Sequence, residues 1–166
     1  MKSIHLNIIV IVGPTASGKS ALAVRLAKKF HGEVISADSR QVYRGLDIGT
    51  GKITRRQMQG VRHHLIDVTE PKRQFSVAEF QELAHRTIRD IAARGKIPFL
   101  AGGTAFWVDA VACGLRLPAA PPKEALRKRL ARKSAEELFQ ILIRLDPARA
   151  RHLRPGAGKW RQSANV

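Results

Sequence analysis

The sequence predicts an α/β fold in which a parallel sheet is flanked by helices. Short strand patterns at residues 8–12, 33–36 and 96–101 alternate with helical patterns, the order typical of a parallel sheet. The first run leads into residues 13–20, Gly-Pro-Thr-Ala-Ser-Gly-Lys-Ser, which is a phosphate-binding P-loop. The second and third runs lead to Asp38 and to a Gly-Gly pair, on the edge where such sheets place ligands. Together these features predict a core like that of the P-loop NTPases.

The first elements follow from the spacing of apolar residues. Residues 8–12 form a continuous β-branched run, which predicts a first strand buried on both faces. After the loop, a helical stripe from Ala21 to Phe30 ends before Gly32. Residues 33–36 then form the second strand.

The middle of the chain combines a long loop with a well-marked helix. Residues 43–70 lack a clear period and are predicted to be mostly loop, with a short strand over 64–68 as an alternative. Ser76 and Glu79 form a capping box, and the helix that follows is predicted to end at Gly95.

A proline-rich stretch at residues 118–122 marks a boundary in the chain. Two short helical patterns follow it, at residues 126–133 and 135–144. From residue 116 onward there are 13 Lys and Arg against 4 Asp and Glu, a net charge of +9. The predicted organisation is a P-loop α/β core (1–115), a basic helical segment (116–155) and a tail without periodicity (156–166).

The composition favours a polyanionic partner. With 30 Lys and Arg against 13 Asp and Glu, the 166 residues carry a formal net charge of +17. RNA or DNA would be attracted to such a surface, although a basic face can also serve solubility alone. Cys113 is the single cysteine, which excludes an intrachain disulfide and fits a cytoplasmic location. No run reaches the roughly 18 apolar residues of a membrane span, so no membrane association is expected.

The P-loop predicts binding of a phosphorylated ligand. Its glycines let backbone N–H groups surround a phosphate, and the following helix presents its positive N-terminal end. Lys19 is placed to reach the phosphate oxygens, and the Ser20 hydroxyl to bind Mg²⁺. The predicted phosphate-binding residues are Gly13, Pro14, Thr15, Ala16, Ser17, Gly18, Lys19 and Ser20. The pattern leaves open whether the phosphates belong to ATP, GTP or another diphosphate.

One carboxylate of a Walker-type NTPase is missing. Such proteins normally end a buried strand in an acidic residue that holds Mg²⁺, but the third strand here ends in Ala-Gly-Gly-Thr at residues 101–104. Asp38, after the second strand, is the carboxylate best placed to face the loop, as a general base or an indirect metal ligand. The alternative is that Asp38 is simply a turn residue.

Two further features favour structural interpretations. His63 and His64 would point to opposite faces of an extended segment, which argues against a metal site and favours a structural or RNA-facing role. Trp107 lies in an apolar helical stretch and is predicted to be core, while Trp160 could stack on a nucleobase.

Four blocks of the sequence together resemble the tRNA dimethylallyltransferase family. They are residues 13–20, 36–50 (Ser-Ala-Asp-Ser-Arg-Gln-Val-Tyr-Arg-Gly-Leu-Asp-Ile-Gly-Thr), 63–68 (His-His-Leu-Ile-Asp-Val) and 102–104 (Gly-Gly-Thr), in family order and spacing. The resemblance implies transfer of a dimethylallyl group from dimethylallyl diphosphate to the exocyclic amine (N6) of a tRNA adenine next to the anticodon. It further implies Mg²⁺ as cofactor, tRNA as partner and a monomer, with 116–155 as the start of a helical tRNA-binding insertion.

The same resemblance implies roles for single residues. Lys19, and Ser20 through Mg²⁺, would stabilise the leaving pyrophosphate, while Asp38 would accept a proton from the adenine amine. Thr104 would contact the substrate nucleotide, which completes a catalytic set of Asp38, Lys19 and Thr104. The implied tRNA contacts are Asp38, Ser39, Arg40, Gln41, Thr104 and Arg127.

Two other functions compete with this one. A small P-loop kinase would use Asp38 to activate an acceptor hydroxyl and a basic lid made of Arg127, Lys128, Arg129 and Arg132. A non-catalytic RNA-binding protein would keep the loop and the basic surface without turnover. Complete members of the resembling family run to about three hundred residues, and this sequence departs from their pattern after residue 155. The short chain is therefore expected to turn over tRNA poorly or not at all.

Overall fold

The computed structural model describes residues 7–117 and 123–153 of the chain. It divides the chain into two compact units, Met1–Ala119 and Ala120–Val166. The predicted division after residue 155 and the prediction for Trp160 lie outside the described residues. The first unit contains β1 (Ile9–Val12), α1 (Lys19–Lys29), β2 (Gly32–Ser36), α2 (Arg55–Met58), β3 (His63–His64), α3 (Val77–Ala93), β4 (Ile97–Gly102) and α4 (Ala105–Ala112). The second contains α5 (Glu124–Ala131), α6 (Ala135–Leu145) and α7 (Pro147–Arg151).

The strands of the first unit form one parallel sheet in the order β1-β4-β2-β3. In its central pair, Val34 of β2 lies opposite Phe99 of β4, and Ile35 lies opposite Leu100. Because successive side chains of a strand point to opposite faces, Ile35 and Leu100 pack with α3 and α4, whereas Val34 and Phe99 pack with α1. Helices therefore cover both faces of the sheet, and the predicted α/β fold is confirmed.

The first strand is at the edge of the sheet. Along the described chain β1 pairs with β4 alone, so that Ile11 is buried but Ile9, Val10 and Val12 are exposed, Val12 to 61%. A groove of about 600 Å³ runs beside it, bordered by Val12 and by Leu22 of α1. The prediction of a strand buried on both faces is wrong, since a continuous apolar run reports hydrophobicity and not the position of a strand within its sheet.

The same edge explains which face of α1 is buried. The helix is confirmed, but its buried residues are Ala23, Val24 and Ala27. Leu22 and Phe30, which belong to the predicted apolar stripe, are exposed. Leu22 borders the groove beside β1. None of the described strands continues the sheet on that side of β1, so no strand covers Leu22.

The long loop contains more local structure than predicted. Thr54 and Gln57 form a capping box that begins the one-turn helix α2. The strand in this region is β3, only two residues long, paired in parallel with β2. Leu65 and Asp67 have left-handed backbone angles, φ 60° and 57°, which non-glycine residues adopt rarely and which stop the strand. The alternative strand over 64–68 is therefore wrong beyond its first residue.

The predicted long helix and the predicted core position of Trp107 are confirmed. α3 begins at the capping box of Ser76 and Glu79, in which each residue's side chain bonds the other's backbone N–H. Phe80 of α3 stacks on Trp107 of α4 with ring centroids 4.3 Å apart. Phe75 meets the same indole edge-on at 5.7 Å, so Trp107 is a core residue.

A buried carboxylate joins the start of β2 to the start of β4. Glu33 is 2% exposed, and its oxygens accept hydrogen bonds from Lys96 Nζ (2.8 Å), Arg94 Nη2 (2.6 Å) and His64 Nε2 (2.7 Å). Burial by itself raises the pKa of Glu33. The hydrogen bonds from Lys96 and His64 and the charge of Arg94 outweigh burial and lower this pKa to about 2. Glu33 therefore remains ionised at neutral pH.

Glu33→Gln is expected to destabilise the fold by about 3 kcal/mol at neutral pH, because it leaves basic side chains around a neutral amide. In the unmodified chain the carboxylate stabilises the fold above its ordinary pKa of 4.5, and this contribution is lost as the pH falls towards 2. Denaturant unfolding across that range should show a steep loss of stability that the variant lacks. Glu82→Gln, which removes an exposed ion pair with Arg86, is the control and should cost less than about 1 kcal/mol. Equal unfolding free energies for the two variants would contradict the role of Glu33.

In the described residues of the second unit, α5 and α6 correspond to the two helical patterns predicted at 126–133 and 135–144. α6 begins with a capping box of Ser134 and Glu137, and α7 begins where the Asp146 side chain accepts from the Arg149 N–H. Ala150 is the one buried residue among positions 123–153. In the ranges that the structure describes, no helix is long and apolar enough to cross a membrane.

Candidate phosphate-binding site

The P-loop forms the turn between β1 and α1. Ala16 and Gly18 have left-handed backbone angles, φ 63° and 83°, and Gly18 is the last residue before α1 begins at Lys19. Glycine adopts this conformation without the steric cost of a Cβ. The first turn of α1 leaves N–H groups without intrahelical partners at the positive end of the helix, an arrangement that binds anions.

The Lys19 side chain bonds back to the backbone of the phosphate loop. Its Nζ donates to the Pro14 carbonyl at 2.5 Å, which uses one of three N–H donors and leaves two for a ligand. Gly103 follows the end of the neighbouring strand β4, and a Cβ there would lie 3.9 Å from Lys19 Nζ and 3.5 Å from the Gly13 carbonyl oxygen. Both distances are ordinary van der Waals contacts, so Gly103 lies directly beside the ammonium group.

A cavity of about 170 Å³ lies at this edge of the sheet. The P-loop, the ends of β2 and β4 and the loop over residues 43–70 all contribute to it. Its polar lining includes Lys19, Ser20, Asp38, Gln41, Gly102 and Gly103, and its apolar lining includes Val34, Ile53, Ile66 and Ala101. Lys19, Ser20 and Asp38, which the sequence predicts to act together, are thus brought to one cavity.

Asp38 is both a turn residue and a cavity residue. Its Oδ1 accepts from the backbone N–H groups of Arg40 (2.9 Å) and Gln41 (3.3 Å). Its Oδ2 accepts from the Gln41 side-chain amide at 3.3 Å. The two interpretations from the sequence are therefore compatible: the turn fixes the carboxylate through Oδ1, and Oδ2 keeps only a long side-chain hydrogen bond.

Thr104 joins the two strand ends that flank the cavity. Its hydroxyl accepts from the Ser39 N–H at 3.1 Å and lies 3.3 Å from the Ser39 hydroxyl. The close approach depends on Gly102, where a Cβ would fall 2.1 Å from the Ala37 carbonyl oxygen. Neither Thr104 nor Ser39 lines the cavity, so the structure gives Thr104 a positioning contact with the Asp38 turn.

The two adjacent histidines have different surroundings, as predicted. His64 bonds to buried Glu33, whereas His63 lines the cavity. The Nδ1 of His63 lies 2.9 Å from the Val61 carbonyl oxygen, which assigns the proton to Nδ1. Burial lowers the pKa of His63, and its Nε2 is buried without a hydrogen-bond partner among the described residues. His63 is therefore a neutral side chain with an unused acceptor.

Of the other predicted site residues, only Thr15 and Ala16 are among the described residues that line the cavity. Gly13, Pro14, Ser17 and Gly18 border the groove beside β1, as Lys19 also does, while Thr15 and Ala16 line the cavity. Arg40 is exposed next to the Asp38 turn. Arg127 is exposed on α5 of the second unit.

Several cavity residues were not predicted from the sequence. Thr50, Gly51, Ile53 and Ile66 come from the segment predicted to be mostly loop. Its lack of a helical or strand period gave no indication of where it lies. For Thr50 and Ile66 the available signal was that residues 36–50 and 63–68 form two of the four family-like blocks, since segments with a fixed pattern outside regular structure often carry function.

The fold and the site define an α/β protein of the P-loop type, with an anion-binding cavity at the carboxyl edge of a parallel sheet. Residues 41–160 match the model of the family described as IPP transferase. The chain belongs to the IPP transferase family.

Individual relatives agree with this assignment. The chain is 50% identical over 154 residues to a tRNA dimethylallyltransferase of Roseiflexus sp. (strain RS-1) and 45% identical over 149 residues to one of Anoxybacillus flavithermus; these matches cover 90% of the chain in each case. They cover 50% and 48% of the two relatives, so the chain spans about half the length of the curated relatives it matches. The crystal structure of the tRNA isopentenylpyrophosphate transferase of Bacillus halodurans is similar over 95% of the chain and 53% of its own length, with 44% identity and a TM-score of 0.67.

Proposed function

We propose that the chain carries the diphosphate-binding half of a tRNA dimethylallyltransferase site, which transfers a dimethylallyl group to the N6 amine of an adenine in tRNA. The observation that supports this most is the shared cavity of Lys19, Ser20 and Asp38. It places an anion-binding loop beside a fixed carboxylate, as transfer from a diphosphate to an amine requires. The relatives named as tRNA dimethylallyltransferases supply the substrate class.

The P-loop binds the leaving group in this proposal. Breaking the allylic C–O bond places negative charge on the departing pyrophosphate, and the N–H groups at the start of α1 and the ammonium of Lys19 stabilise that charge. The cavity, about 170 Å³, is smaller than the roughly 300 to 1,000 Å³ common for drug-sized ligands. This volume suits a small diphosphate, and Lys19 also borders the groove of about 600 Å³ beside β1.

Asp38 is the general base in this proposal. An exocyclic amine on an aromatic ring is a weak nucleophile, so reaction needs a positioned base as the nitrogen attacks the allylic carbon. The hydrogen bonds from Arg40 and Gln41 hold Oδ1, which leaves Oδ2 to accept the amine proton. The adenine has to leave the RNA stack to reach this carboxylate.

The donor atoms fit Mg²⁺ held mainly by the ligand. Within the part of the chain that the structure describes, no group of three or more His, Cys, Asp or Glu could hold a metal ion. The Ser20 hydroxyl lines the cavity with Asp38, and Mg²⁺ commonly binds through one or two protein oxygens, phosphate oxygens and water. When bound, the ion would neutralise part of the diphosphate charge, with Ser20 as its protein ligand.

The basic helices serve RNA in this proposal. Arg127, Lys128, Arg129 and Arg132 are exposed on and after α5, and phosphate contacts need little geometric precision. Ser39, Arg40, Gln41 and Thr104 would contact the tRNA near the Asp38 turn. A monomeric state and a cytoplasmic location complete the proposal.

Ligand choice tests the function. Dimethylallyl diphosphate at about a hundred times its dissociation constant should raise the melting temperature by about 5 to 10 °C, whereas equal concentrations of ATP should protect much less. Thermal unfolding of the 166-residue chain with each ligand measures this directly. Protection by ATP and not by dimethylallyl diphosphate would support the kinase alternative.

RNA binding tests the third alternative. We expect tRNA affinity to fall steeply and linearly on a logarithmic salt scale, because counterions are released from the phosphates. If tRNA binds in this way but neither small ligand protects the chain, the non-catalytic RNA-binding function replaces the proposed one.

A further inference from the structure

Lys52, outside the phosphate loop, has a buried side chain. Its side chain is 5% exposed, and Nζ contacts Asp67 Oδ1 (2.5 Å), Asp47 Oδ1 (2.7 Å) and the Tyr43 carbonyl oxygen (2.7 Å). An ammonium group has three N–H donors, and each of these acceptors matches one donor. We call these four residues the Lys52 clasp.

The electrostatics keep the clasp closed at neutral pH. Burial lowers the pKa of Lys52, but the hydrogen bonds and charges of Asp47 and Asp67 outweigh burial and raise this pKa above its ordinary value. Both carboxylates are substantially exposed, so water solvates their outer oxygens while Lys52 occupies the inner ones. Three separate residues of the chain are thereby bonded to one cation.

The clasp joins the two segments that form one wall of the cavity. On one side, Thr50, Gly51 and Ile53 flank Lys52 in sequence and line the cavity. On the other side, Ile66 precedes Asp67 and also lines it. Without the ammonium group, the facing Asp47 and Asp67 carboxylates would repel each other and separate the two segments.

Asp67 also connects the clasp to the Asp38 turn. Its N–H donates to the Gln41 carbonyl at 3.2 Å, and Gln41 bonds to Asp38 through its backbone and its side chain. Asp67 holds a left-handed backbone angle, φ 57°, a conformation that non-glycine residues keep only where surrounding contacts fix it. The clasp supplies such contacts.

We infer that Lys52 is a positioning residue that holds Ile53 and Ile66 as the apolar wall for the organic group carried by the diphosphate. This inference rests on the proposed function, since it assigns the dimethylallyl group to that wall. The phosphate-binding part of the cavity, at Lys19 and Ser20, lies on the P-loop and makes none of the clasp contacts. Loss of the clasp should therefore weaken binding of the allyl group and leave binding of the phosphates nearly unchanged.

Calorimetry on the 166-residue chain measures the affinities for two ligands, dimethylallyl diphosphate and inorganic pyrophosphate. The quantity compared between variants is the affinity for dimethylallyl diphosphate divided by the affinity for pyrophosphate. Lys52→Met should lower this ratio about tenfold, because a hydrophobic pocket distinguishes small apolar groups by factors of about 10 to 200, while pyrophosphate affinity stays within about twofold. Lys72→Met, at an exposed lysine of the same unit, is the control and should leave both affinities unchanged. Asp47→Asn weakens the clasp without removing its cation and should lower the ratio roughly threefold.

Each outcome decides between the possibilities. An equal loss for both ligands in Lys52→Met would show a purely structural role, since a smaller folded fraction reduces all affinities alike, and would overturn the inference. An unchanged ratio in Lys52→Met, or in Asp47→Asn if the first variant does not fold, would overturn it as well. A ratio near one in the unmodified chain would instead overturn the proposed function, and this inference with it.

Discussion

Lys19→Ala should abolish measurable binding of dimethylallyl diphosphate, a loss of at least about a hundredfold. Among the described residues that line the cavity, Lys19 has the one ammonium or guanidinium group, and the ligand carries several negative charges. The loop backbone alone offers neutral N–H donors, which bind an anion less strongly than a charged donor. Calorimetry with dimethylallyl diphosphate and with pyrophosphate measures the loss for both.

The control for Lys19 is Lys29→Ala on the same helix. Lys29 is exposed in the last turn of α1, at the opposite end from the phosphate loop. Its loss removes the same net charge, so it corrects for long-range attraction of an anion to a basic protein. Binding by Lys19→Ala as tight as that of Lys29→Ala would show that the ligand binds elsewhere.

Asp38→Asn should slow dimethylallyl transfer by about 10² to 10⁴, the usual contribution of a general base, with both substrates still bound. The amide retains an Oδ1 that can accept from the Arg40 and Gln41 N–H groups, so the turn should persist while the proton acceptor is lost. The chain spans about half the length of these relatives. Transfer is therefore best measured in a chimera in which the chain is followed by the second half of the Roseiflexus relative. Single-turnover rates with excess enzyme separate chemistry from binding.

Asp109→Asn is the matched substitution for Asp38. Asp109 is exposed on α4, and its side chain lies outside the cavity lining, so transfer should be unaffected. Should Asp38→Asn weaken substrate binding in proportion to its effect on rate, Asp38 would be a structural residue of the turn and not the base.

Much of the fold could be predicted because its signals are local. The P-loop, the capping box at Ser76 and Glu79 and the apolar runs of β2 and β4 each depend on residues close together in sequence. The short helix α2 has an equally local signal, the capping box of Thr54 and Gln57. The prediction that this segment is mostly loop overlooked that signal. Strand position within the sheet has no such signal, which is why β1 was expected in the interior.

The candidate site divides in the same way. The sequence by itself determined the P-loop residues, the missing carboxylate after β4 and the position of Asp38 after the second strand, since each follows from a motif or from the end of a strand. The tertiary structure decided that His64 bonds to Glu33 while His63 faces the cavity, and that Lys52 joins Asp47 to Asp67. Glu33 and Lys96 lie far apart along the chain and meet only because β2 and β4 are neighbours in the sheet. Pairings of this kind depend on which strands and loops pack together, and that is settled by burial of the whole core and not by any one segment.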